Sequence, residues 1–260
     1  MSQLTMRPQK TIYVKIGGST ITEKTLGQPK PRMDRIKDFC REVSEVVGAG
    51  MSLILAHGGG SYAHPFAAKH HLNEGLRQSE RIGVTETRFW LTELSQIFLK
   101  EFLELELPVV VFHPSSLIYG STKGFEAFSS PIRLALKNKI TPLLMGDVVF
   151  DEERGISIIS ADDLPLLLLD VVDEVLFLVD VPGVLDKNGN VIPKLHKKDL
   201  SMLEETLTMA TDVTGGIKEK IRKALILAEK GKKVRISGYK KKGDLLKALK
   251  GVAGTEIIAK

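Results

Sequence analysis

Several features are scarce in this sequence, and each scarcity excludes a class of protein. A single cysteine, Cys40, occurs in 260 residues, so no disulfide can form within the chain and a reducing cytoplasm is expected. The most apolar run, residues 164–181, is interrupted by Asp170, Asp173 and Glu174, which excludes a membrane-spanning helix there. The first ten residues lack the apolar stretch of a signal peptide. We therefore expect a cytoplasmic protein with no membrane partner.

A strong charge of one sign is also lacking. The chain has 37 basic and 32 acidic residues, a net charge of +5, and the basic residues are spread widely. An excess this small suits anionic small molecules at least as well as nucleic acid. No repeat, low-complexity tract or linker divides the chain. We expect small-molecule ligands, no nucleic acid partner and one domain over residues 1–260.

What the sequence does have is an alternation of short β-branched runs with amphipathic helical stretches. "TIYVKI", "MSLILAH" and "PVVVFHP" are typical of strands, and "TPLLMGDVVF" predicts one more strand with "GISIIS" as its hairpin partner. The spacing predicts helices over residues 33–50, 85–107, 161–172 and 214–231. This alternation predicts a three-layer α/β/α sandwich with a largely parallel central sheet. We expect two lobes that meet near residue 170.

Two glycine-rich turns follow predicted strands. Gly17 and Gly18 end "YVKIGG", and Gly58 begins the triglycine of "AHGGGSYAH". Ligands of open parallel sheets bind beyond the carboxyl ends of strands, and glycine lets backbone N–H groups approach a phosphate. The first turn does not match GxxxxGK[ST]. The second fits GxGxxA, but no acid ends a following strand at the spacing that a dinucleotide site requires, which argues against hydride chemistry.

Lysines accompany these turns. Lys15 lies inside an apolar strand, where an ammonium group is costly unless it meets an anion, and Lys24 follows in the next loop. A glycine pair at 215–216 begins a helix whose first turns carry Lys218 and Lys220. Lysines there oppose the helix dipole unless a phosphate binds. We interpret Lys218 as a solvent-exposed helix lysine. The other glycine turns and lysines of the sequence favour a phosphate contact for Lys220.

Together these motifs resemble the amino acid kinase superfamily, whose members phosphorylate a carboxylate, carbamate or phosphate with ATP. The resemblance runs from "KIGGS" and "HGGGS" through "GDVV", "SADD" and "LVDVPGV" to "TGGIKEK". Within the superfamily, "VKIGGSTITEK", "AHGGGSYAHPFA" and "TDVTGGI" are similar to the isopentenyl phosphate kinase family, and His64 is the discriminating residue. The implied activity converts isopentenyl phosphate to isopentenyl diphosphate with ATP, in isoprenoid biosynthesis by an alternative mevalonate pathway. The resemblance also implies an archaeal-type, cytoplasmic homodimer.

The resemblance implies a role for individual residues. Lys15 would bridge the transferring phosphoryl group and the acceptor, Lys24 would neutralise the charge that develops, and Lys220 would hold the ATP phosphates. Asp162 would orient the lysines by salt bridges, and His64 would donate to the acceptor phosphate. Further acceptor contacts are expected from Gly59 and Gly146, and further ATP contacts from Gly17, Gly18, Ser19, Gly60, Asp180, Gly215 and Gly216. Mg²⁺ is expected between the phosphates, and no clustered carboxylates indicate a protein metal site. The acceptor lobe would be residues 1–170 and the nucleotide lobe residues 171–260.

Some positions depart from the family pattern, and they leave alternatives open. "SYAH" stands where "SFGH" is usual, "VDVPG" where "TDVDG" is common, and Glu219 where a glycine is often seen. None of these changes removes a charged residue that the chemistry needs. The alternatives are a kinase for another phosphate or phosphonate such as fosfomycin, a uridylate kinase, and a non-catalytic sensor on the same fold. A uridylate kinase would have no use for His64, and the retained charged residues argue against a sensor.

The surroundings of the predicted site give weaker expectations. We favour a structural role for His57, and we expect His70 and His71 to be solvated. Cys40 has apolar neighbours at helical spacing and is expected in the core. The helix from Thr85 should place most of its large apolar residues in the core, while some could wall a pocket for a short branched hydrocarbon: Phe89, Trp90, Leu91, Leu94 and Phe98.

Overall fold

The computed structural model describes residues 10–24, 28–199 and 215–259. These residues form twelve strands: β1 (Thr11–Ile16), β2 (Ser52–His57), β3 (Val109–Val111), β4 (Ile118–Ser121), β5 (Gly124–Ala127), β6 (Thr141–Met145), β7 (Asp147–Asp151), β8 (Gly155–Ile159), β9 (Glu174–Val179), β10 (Lys194–His196), β11 (Lys233–Gly238) and β12 (Thr255–Ile258). They also form eight α-helices: α1 (Gly18–Ile21), α2 (Met33–Gly48), α3 (His64–Lys69), α4 (Arg81–Glu104), α5 (Ser130–Lys137), α6 (Leu164–Leu167), α7 (Gly215–Glu229) and α8 (Asp244–Leu249).

Eight strands make the central sheet, in the order β10-β12-β11-β9-β1-β2-β6-β3. Every neighbouring pair is parallel except β11 and β12. The strands before residue 170 occupy one half of this sheet and those after it occupy the other half. Since β1, β2, β6, β9 and β11 run in one direction, the residues that follow them meet at one edge, as a ligand site of this architecture requires.

Helices cover both faces of the central sheet, which confirms the predicted three-layer sandwich. Adjacent residues of a strand face opposite layers, because successive side chains alternate. On β1, Val14 packs in the cluster that includes Phe39 of α2 and Phe98 of α4. Tyr13, its neighbour, packs in the cluster that includes Ile221 of α7. Both clusters are drawn from strands that are buried on two faces, in line with their continuous apolar sequence.

A second, four-stranded sheet in the order β5-β4-β7-β8 was not foreseen as a unit. The prediction of one strand over "TPLLMGDVVF" was wrong, because the chain leaves the central sheet after Met145 and enters the small sheet at Asp147. A Cβ atom on Gly146 would lie 3.1 Å from the carbonyl oxygen of Ile159 and 3.3 Å from the amide nitrogen of Ala161. The close backbone approach explains why a glycine stands where the strand breaks. The hairpin partner β8 was predicted correctly.

The helix predicted over residues 161–172 is reduced to the single turn α6. A side-chain oxygen of Asp173 accepts a 2.8 Å hydrogen bond from the backbone N–H of Thr11, at the start of β1. This bond holds the chain against the start of β1 at residue 173, and the apolar run enters the sheet as β9 from Glu174. Cys40 is buried in the core, as expected. Within the described ranges, no helix is both long and apolar enough to cross a membrane.

Candidate active site

Three predicted charged residues meet at the carboxyl edge of the sheet. Asp162 lies between two lysines: one carboxylate oxygen is 2.9 Å from the Nζ of Lys15, and the other accepts a hydrogen bond from Lys220. All three side chains are largely buried, with exposed fractions of 8% for each lysine and 13% for the aspartate. The Nζ of Lys220 also lies 5.3 Å from the ring centroid of Phe177, below it on β9. Three residues that are distant in sequence therefore form one buried ionic cluster.

The pKa values of this cluster follow from burial and from the mutual charges. Burial alone would raise the pKa of Asp162, but the charges of Lys15 and Lys220 and their hydrogen bonds outweigh it and hold that pKa well below the usual range. Burial, and then the repulsion of Lys15, lower the pKa of Lys220 to about 8. With Asp162 ionised and both lysines protonated, the cluster has one uncompensated positive charge. Such a site is suited to bind an anion.

The turn that carries Asp162 is itself fixed. The Tyr13 hydroxyl donates a 2.7 Å hydrogen bond to the carbonyl of Ala161, and the Oγ of Ser160 accepts a 3.2 Å hydrogen bond from the Asp162 N–H. Asp163 accepts the N–H of Ser160 at 3.1 Å. These contacts hold Asp162 at the end of the small sheet, directly beside β1. Its orientation is therefore set by backbone and not by the lysines alone.

A second ion pair, which sequence reasoning missed, lies beside the first. Lys223 is 2.5 Å from a carboxylate oxygen of Asp163, which follows Asp162 in the same turn. Lys220 and Lys223 are three residues apart on α7 and so lie on one face of the helix. The sequence does contain a signal for this pair. Asp162 and Asp163 are adjacent, and Lys220 and Lys223 are spaced by about one helical turn. Together the pairs fix the register of α7 against the turn.

The two glycine turns touch each other through their backbones. A Cβ atom on Gly18 would lie 2.2 Å from the amide nitrogen of Gly60, so no side chain fits there. Gly60 has a φ of 52°, the left-handed region that favours glycine. The Oγ1 of Thr22 joins the turns, because it donates to the carbonyl of Gly18 at 2.8 Å and accepts the N–H of Ser61 at 3.1 Å. The turns thus form one continuous cradle of bare backbone.

His64 stands at the first position of α3 and is exposed. Partial desolvation, and then the positive charge of Lys15, lower the pKa of His64 below the usual histidine value. The influence of Lys15 places the imidazole within electrostatic reach of the ionic cluster. An exposed histidine beside bare backbone and a net positive cluster can serve as a donor to an incoming anion.

The remaining predicted residues lie in segments that follow the strands of this edge or begin α7. Ser19 is exposed after the first turn, and Gly59 is buried within the second. Asp180 is exposed immediately after β9, and Gly215 and Gly216 begin α7. Gly146 follows β6, which is adjacent to β2. Lys24 is exposed in the loop after α1 and, among the described residues, makes no ion pair with Asp162, whose ion pairs are to Lys15 and Lys220; the role of Lys24 stays a prediction. The segment 211–214 of the motif "TDVTGGI" lies outside the described residues.

The other predicted histidines differ in burial. His57 is completely buried; its Nε2 is 2.9 Å from the Oγ of Ser95, and its ring stacks on Phe98 with centroids 5.3 Å apart. Burial is the main cause that lowers the pKa of His57 to about 4, so it is a neutral core residue. The prediction that His70 is solvated was wrong, because its ring is buried between two glutamates. His71 is more than half exposed, as expected.

Helix α4 only partly matches its predicted role. Leu91, Leu94 and Phe98 are buried in the core. Phe89 is 55% exposed, and Trp90 stacks on Phe66 of α3 with ring centroids 5.3 Å apart. The helix begins at Arg81, four residues before the predicted start. Its role as a wall of an acceptor pocket stays a prediction.

Comparisons with known proteins identify relatives of this chain. The sequence model of the amino acid kinase family matches residues 10–238. The isopentenyl phosphate kinase of Methanothermobacter thermautotrophicus is 33% identical over 272 aligned residues, which cover 96% of this chain and 99% of the relative. That of Methanocaldococcus jannaschii is 30% identical, with 94% and 97% covered.

A solved structure supports the same assignment. An X-ray structure of isopentenyl phosphate kinase superposes with a TM-score of 0.80 at 27% sequence identity, and the match covers 95% of this chain and 99% of that one. The matches extend over both halves of the sheet and therefore over the whole candidate site. The chain belongs to the amino acid kinase family and, within it, to the isopentenyl phosphate kinase family.

Proposed function

We propose that this protein transfers the γ-phosphoryl group of ATP to isopentenyl phosphate and releases isopentenyl diphosphate and ADP. The observation that carries the proposal is the combination of His64 with the Asp162 cluster at one glycine-lined edge. The relatives named above support the same activity. An acceptor that is a phosphonate or a nucleotide gains no support from them.

In the proposed reaction an oxygen of the acceptor phosphate attacks the γ-phosphorus of ATP. A P–O bond forms, the bond from that phosphorus to the β–γ bridging oxygen breaks, and ADP leaves. Catalysis of such a transfer depends mainly on positioning and on stabilisation of charge. Lys15 and Lys220 are suited to both tasks, because Asp162 holds the two ammonium groups on either side of one carboxylate. Lys24, exposed in the loop after α1, would neutralise the charge that develops on the transferring group.

His64 and the glycine cradle would hold the acceptor. The phosphate of a monoester carries nearly two negative charges, so backbone N–H groups of the second turn and the imidazole can share it. In the free protein the lowered pKa of His64 favours the neutral ring. A bound dianion would raise that pKa and so favour the protonated, charge-assisted hydrogen bond. Recognition of the acceptor is therefore coupled to the uptake of a proton by His64.

The hydrocarbon tail of the acceptor needs an apolar surface near His64 and Gly146. A satellite apolar cluster lies between α3, α4 and the small sheet, and its partly buried members would face the tail. Its members are Leu72, Val148 and Ile156, with Ala67, Leu76 and Val84 packed against them. Ala67 follows His64 by three residues, and Val148 follows Gly146 by two. The tail would therefore lie on the side of α3 that faces the small sheet.

Mg²⁺ is an expected companion of ATP, and the residues here fit a metal held by the nucleotide. Over the ranges that the structure describes, no group of three or more histidine, cysteine or acidic side chains is placed to hold a metal ion. Asp162 is already paired with two lysines. The metal would therefore be held by the phosphates, where it would offset their charge. The lobe assignment, the homodimer and the cytoplasmic location stay predictions.

The test is ATP turnover by the purified protein with isopentenyl phosphate, fosfomycin, uridine monophosphate or no acceptor. We expect formation of ADP only with isopentenyl phosphate, in equal amount to isopentenyl diphosphate detected by mass spectrometry. Faster turnover with another acceptor would reject the proposed substrate but keep the kinase. Binding of isopentenyl phosphate without turnover of ATP would instead identify a sensor.

A further inference from the structure

Helix α3, which begins with His64, is poorly anchored by burial. None of its six residues is buried, and a helix this short is unstable by itself in water. Its position must therefore come from contacts to neighbours. Along the helix Phe66 stacks on Trp90 of α4, and Ala67 touches the satellite cluster. Something further must hold its carboxyl end.

That end is held by an imidazole with a carboxylate on each side. His70 closes α3, since its N–H bonds to the carbonyl of Phe66 at 3.2 Å. Its Nδ1 is 2.8 Å from Glu80, its Nε2 is 2.6 Å from Glu86, and Lys69 lies 2.9 Å from the same Glu86 carboxylate. Glu86 belongs to α4 and Glu80 directly precedes it. The cluster therefore ties the end of α3 to the beginning of α4.

The close fit of the ring depends on α4 as well. A Cβ atom on Gly83 would lie 2.3 Å from the Cβ of His70, so the helix surface is bare where the histidine packs. Both ring nitrogens can donate at once only when the imidazole is protonated. The two glutamates therefore favour the imidazolium, and their hydrogen bonds, first that of Glu86 and then that of Glu80, raise the pKa of His70.

We propose that His70 is a positioning residue, which acts with Glu80 and Glu86 to fix α3 against α4 and thereby sets where His64 meets the acceptor phosphate. The inference rests on the proposed function for its catalytic consequence, but its structural part stands without it. We call His70 with Glu80 and Glu86 the clamp. Because the pKa of His70 is raised, both hydrogen bonds of the protonated ring are present below pH about 6.5, the ordinary histidine value. They are lost as the pH rises through the raised pKa.

Most other charged groups near the clamp have partners other than His70. His71 and Arg77 both contact Glu74, and the guanidinium of Arg154 donates to the carbonyl of Asn73. Lys69 is the remaining cation beside Glu86 and lowers the pKa of His70 slightly by its charge. These neighbours leave the two glutamates as the groups that stabilise the imidazolium.

The experiment compares His70→Gln with the matched control His71→Gln, a substitution of the exposed neighbour. Hydrogen exchange of the Ala67 and His70 main-chain amides, which close α3, is measured without any substrate. We expect faster exchange at residues 67 and 70 in His70→Gln alone. In kinetics, a displaced His64 should raise the KM for isopentenyl phosphate about tenfold, since small misplacements of a reacting group are costly, while the KM for ATP stays within about twofold.

A second variant covers the case in which His70→Gln fails to fold. Glu80→Gln alters a side chain that is 25% exposed and removes one of the two carboxylates, so the pKa of His70 should fall. The pH above which the KM for isopentenyl phosphate rises should then move to lower values than in the parent. Unchanged exchange at residues 67 and 70 together with an unchanged pH profile would overturn the proposal, as would equal effects of His71→Gln. If the parent does not use isopentenyl phosphate, the proposed function fails, and the exchange data still decide whether the clamp exists.

Discussion

Two ionic clusters in this protein have opposite arrangements of charge. At the sheet edge one carboxylate, Asp162, lies between two ammonium groups. Beside α4 one imidazole, His70, lies between two carboxylates, and Lys69 balances the second of these. The first cluster has a net charge of +1 and the second has none when His70 is protonated. The imbalance marks the first as a site that awaits an anion, whereas the second needs no ligand.

The same comparison explains why the two clusters differ in location. An uncompensated buried charge is costly, so it is retained where a ligand neutralises it. The Asp162 cluster adjoins the glycine turns, where phosphates can approach. The His70 cluster joins the ends of two helices and neutralises itself. Charge balance, more than burial, therefore separates a binding site from a structural tie in this fold.

The largest effect should come from removing an ammonium group of the unbalanced cluster. Lys15→Met keeps the apolar stem but leaves Asp162 with Lys220 alone, and kcat should fall about 10²- to 10³-fold, as on loss of a donor to developing charge. Lys10→Met is the matched control, because Lys10 directly precedes the same strand and is 73% exposed. Steady-state kinetics checks both, and thermal denaturation shows that each is folded. A kcat for Lys15→Met within threefold of the parent would contradict the assignment.

Next in size is the effect of the histidine at the start of α3. His64→Ala should lower kcat/KM for isopentenyl phosphate by about ten- to more than a hundredfold, since a charge-assisted hydrogen bond of about 1.5–3 kcal/mol is lost. His64→Gln should lose less, because an amide can still donate, and His71→Ala should lose nothing. ATP binding measured by calorimetry without acceptor should hardly change. Parent-like turnover by His64→Ala would show that the imidazole has only a structural role.

The proton taken up by His64 sharpens this test. The pKa of the free histidine is lowered, and a bound dianion should raise it, so uptake is largest at a pH between the two values. Calorimetric titration of isopentenyl phosphate near neutral pH, in buffers of different ionisation enthalpy, should show uptake in the parent. His64→Gln should abolish that uptake.

A smaller effect is expected at Lys220, whose pKa is about 8. As the pH rises through that value the ammonium loses its charge, so kcat/KM for ATP, which reports the free enzyme, should fall. Lys220→Arg keeps its charge at high pH and should flatten this decline. Lys220→Ala should raise the KM for ATP about tenfold near neutral pH and raise that for the acceptor less. Identical ATP saturation curves would refute a contact with the ATP phosphates.

The smallest effect should come from the second, balanced ion pair. Lys223→Gln removes the partner of Asp163, and we expect a loss of about 1 kcal/mol in the free energy of unfolding, with kcat within about threefold. Arg222→Gln, on the more exposed side of the same helix, is the control. Urea denaturation measures both. A drop in kcat as large as that of Lys15→Met would mean that Lys223 also binds substrate.

Much of the fold could be predicted because its signals are local. Apolar runs of strand length alternate with helical periodicity, and this is enough for a layered sheet. The break at Gly146 could not be found this way, since "TPLLMGDVVF" is apolar on both sides of the glycine and the close approach of the Ile159 backbone is a tertiary contact. The helix predicted from Ala161 fails for a similar reason, because Asp173 bonds to a strand far away in sequence.

The site was predictable where motifs carried it and not where partners are distant. Lys15, Asp162 and Lys220 were expected to cooperate, and the structure brings them together. Lys24 was expected with them; it lies exposed in its loop, and its role stays a prediction. The clamp on His70 was missed because its glutamates lie ten and sixteen residues away, a spacing typical of no regular element. Only the packing of α3 against α4 makes those distances short.

The contact between the two glycine turns has a consequence for how the sequence can change. A Cβ atom on Gly18 would collide with Gly60, and one on Gly58 would come within 2.6 Å of the Gly18 nitrogen. Neither turn therefore has room for a side chain where it faces the other. The two motifs, some forty residues apart, therefore constrain each other, and a larger residue in one turn cannot be accepted without a change in the other. A mutant library that randomises one turn while holding the other fixed would consist almost wholly of inactive clones. Variation that alters acceptor or donor choice must enter through the side chains around the turns.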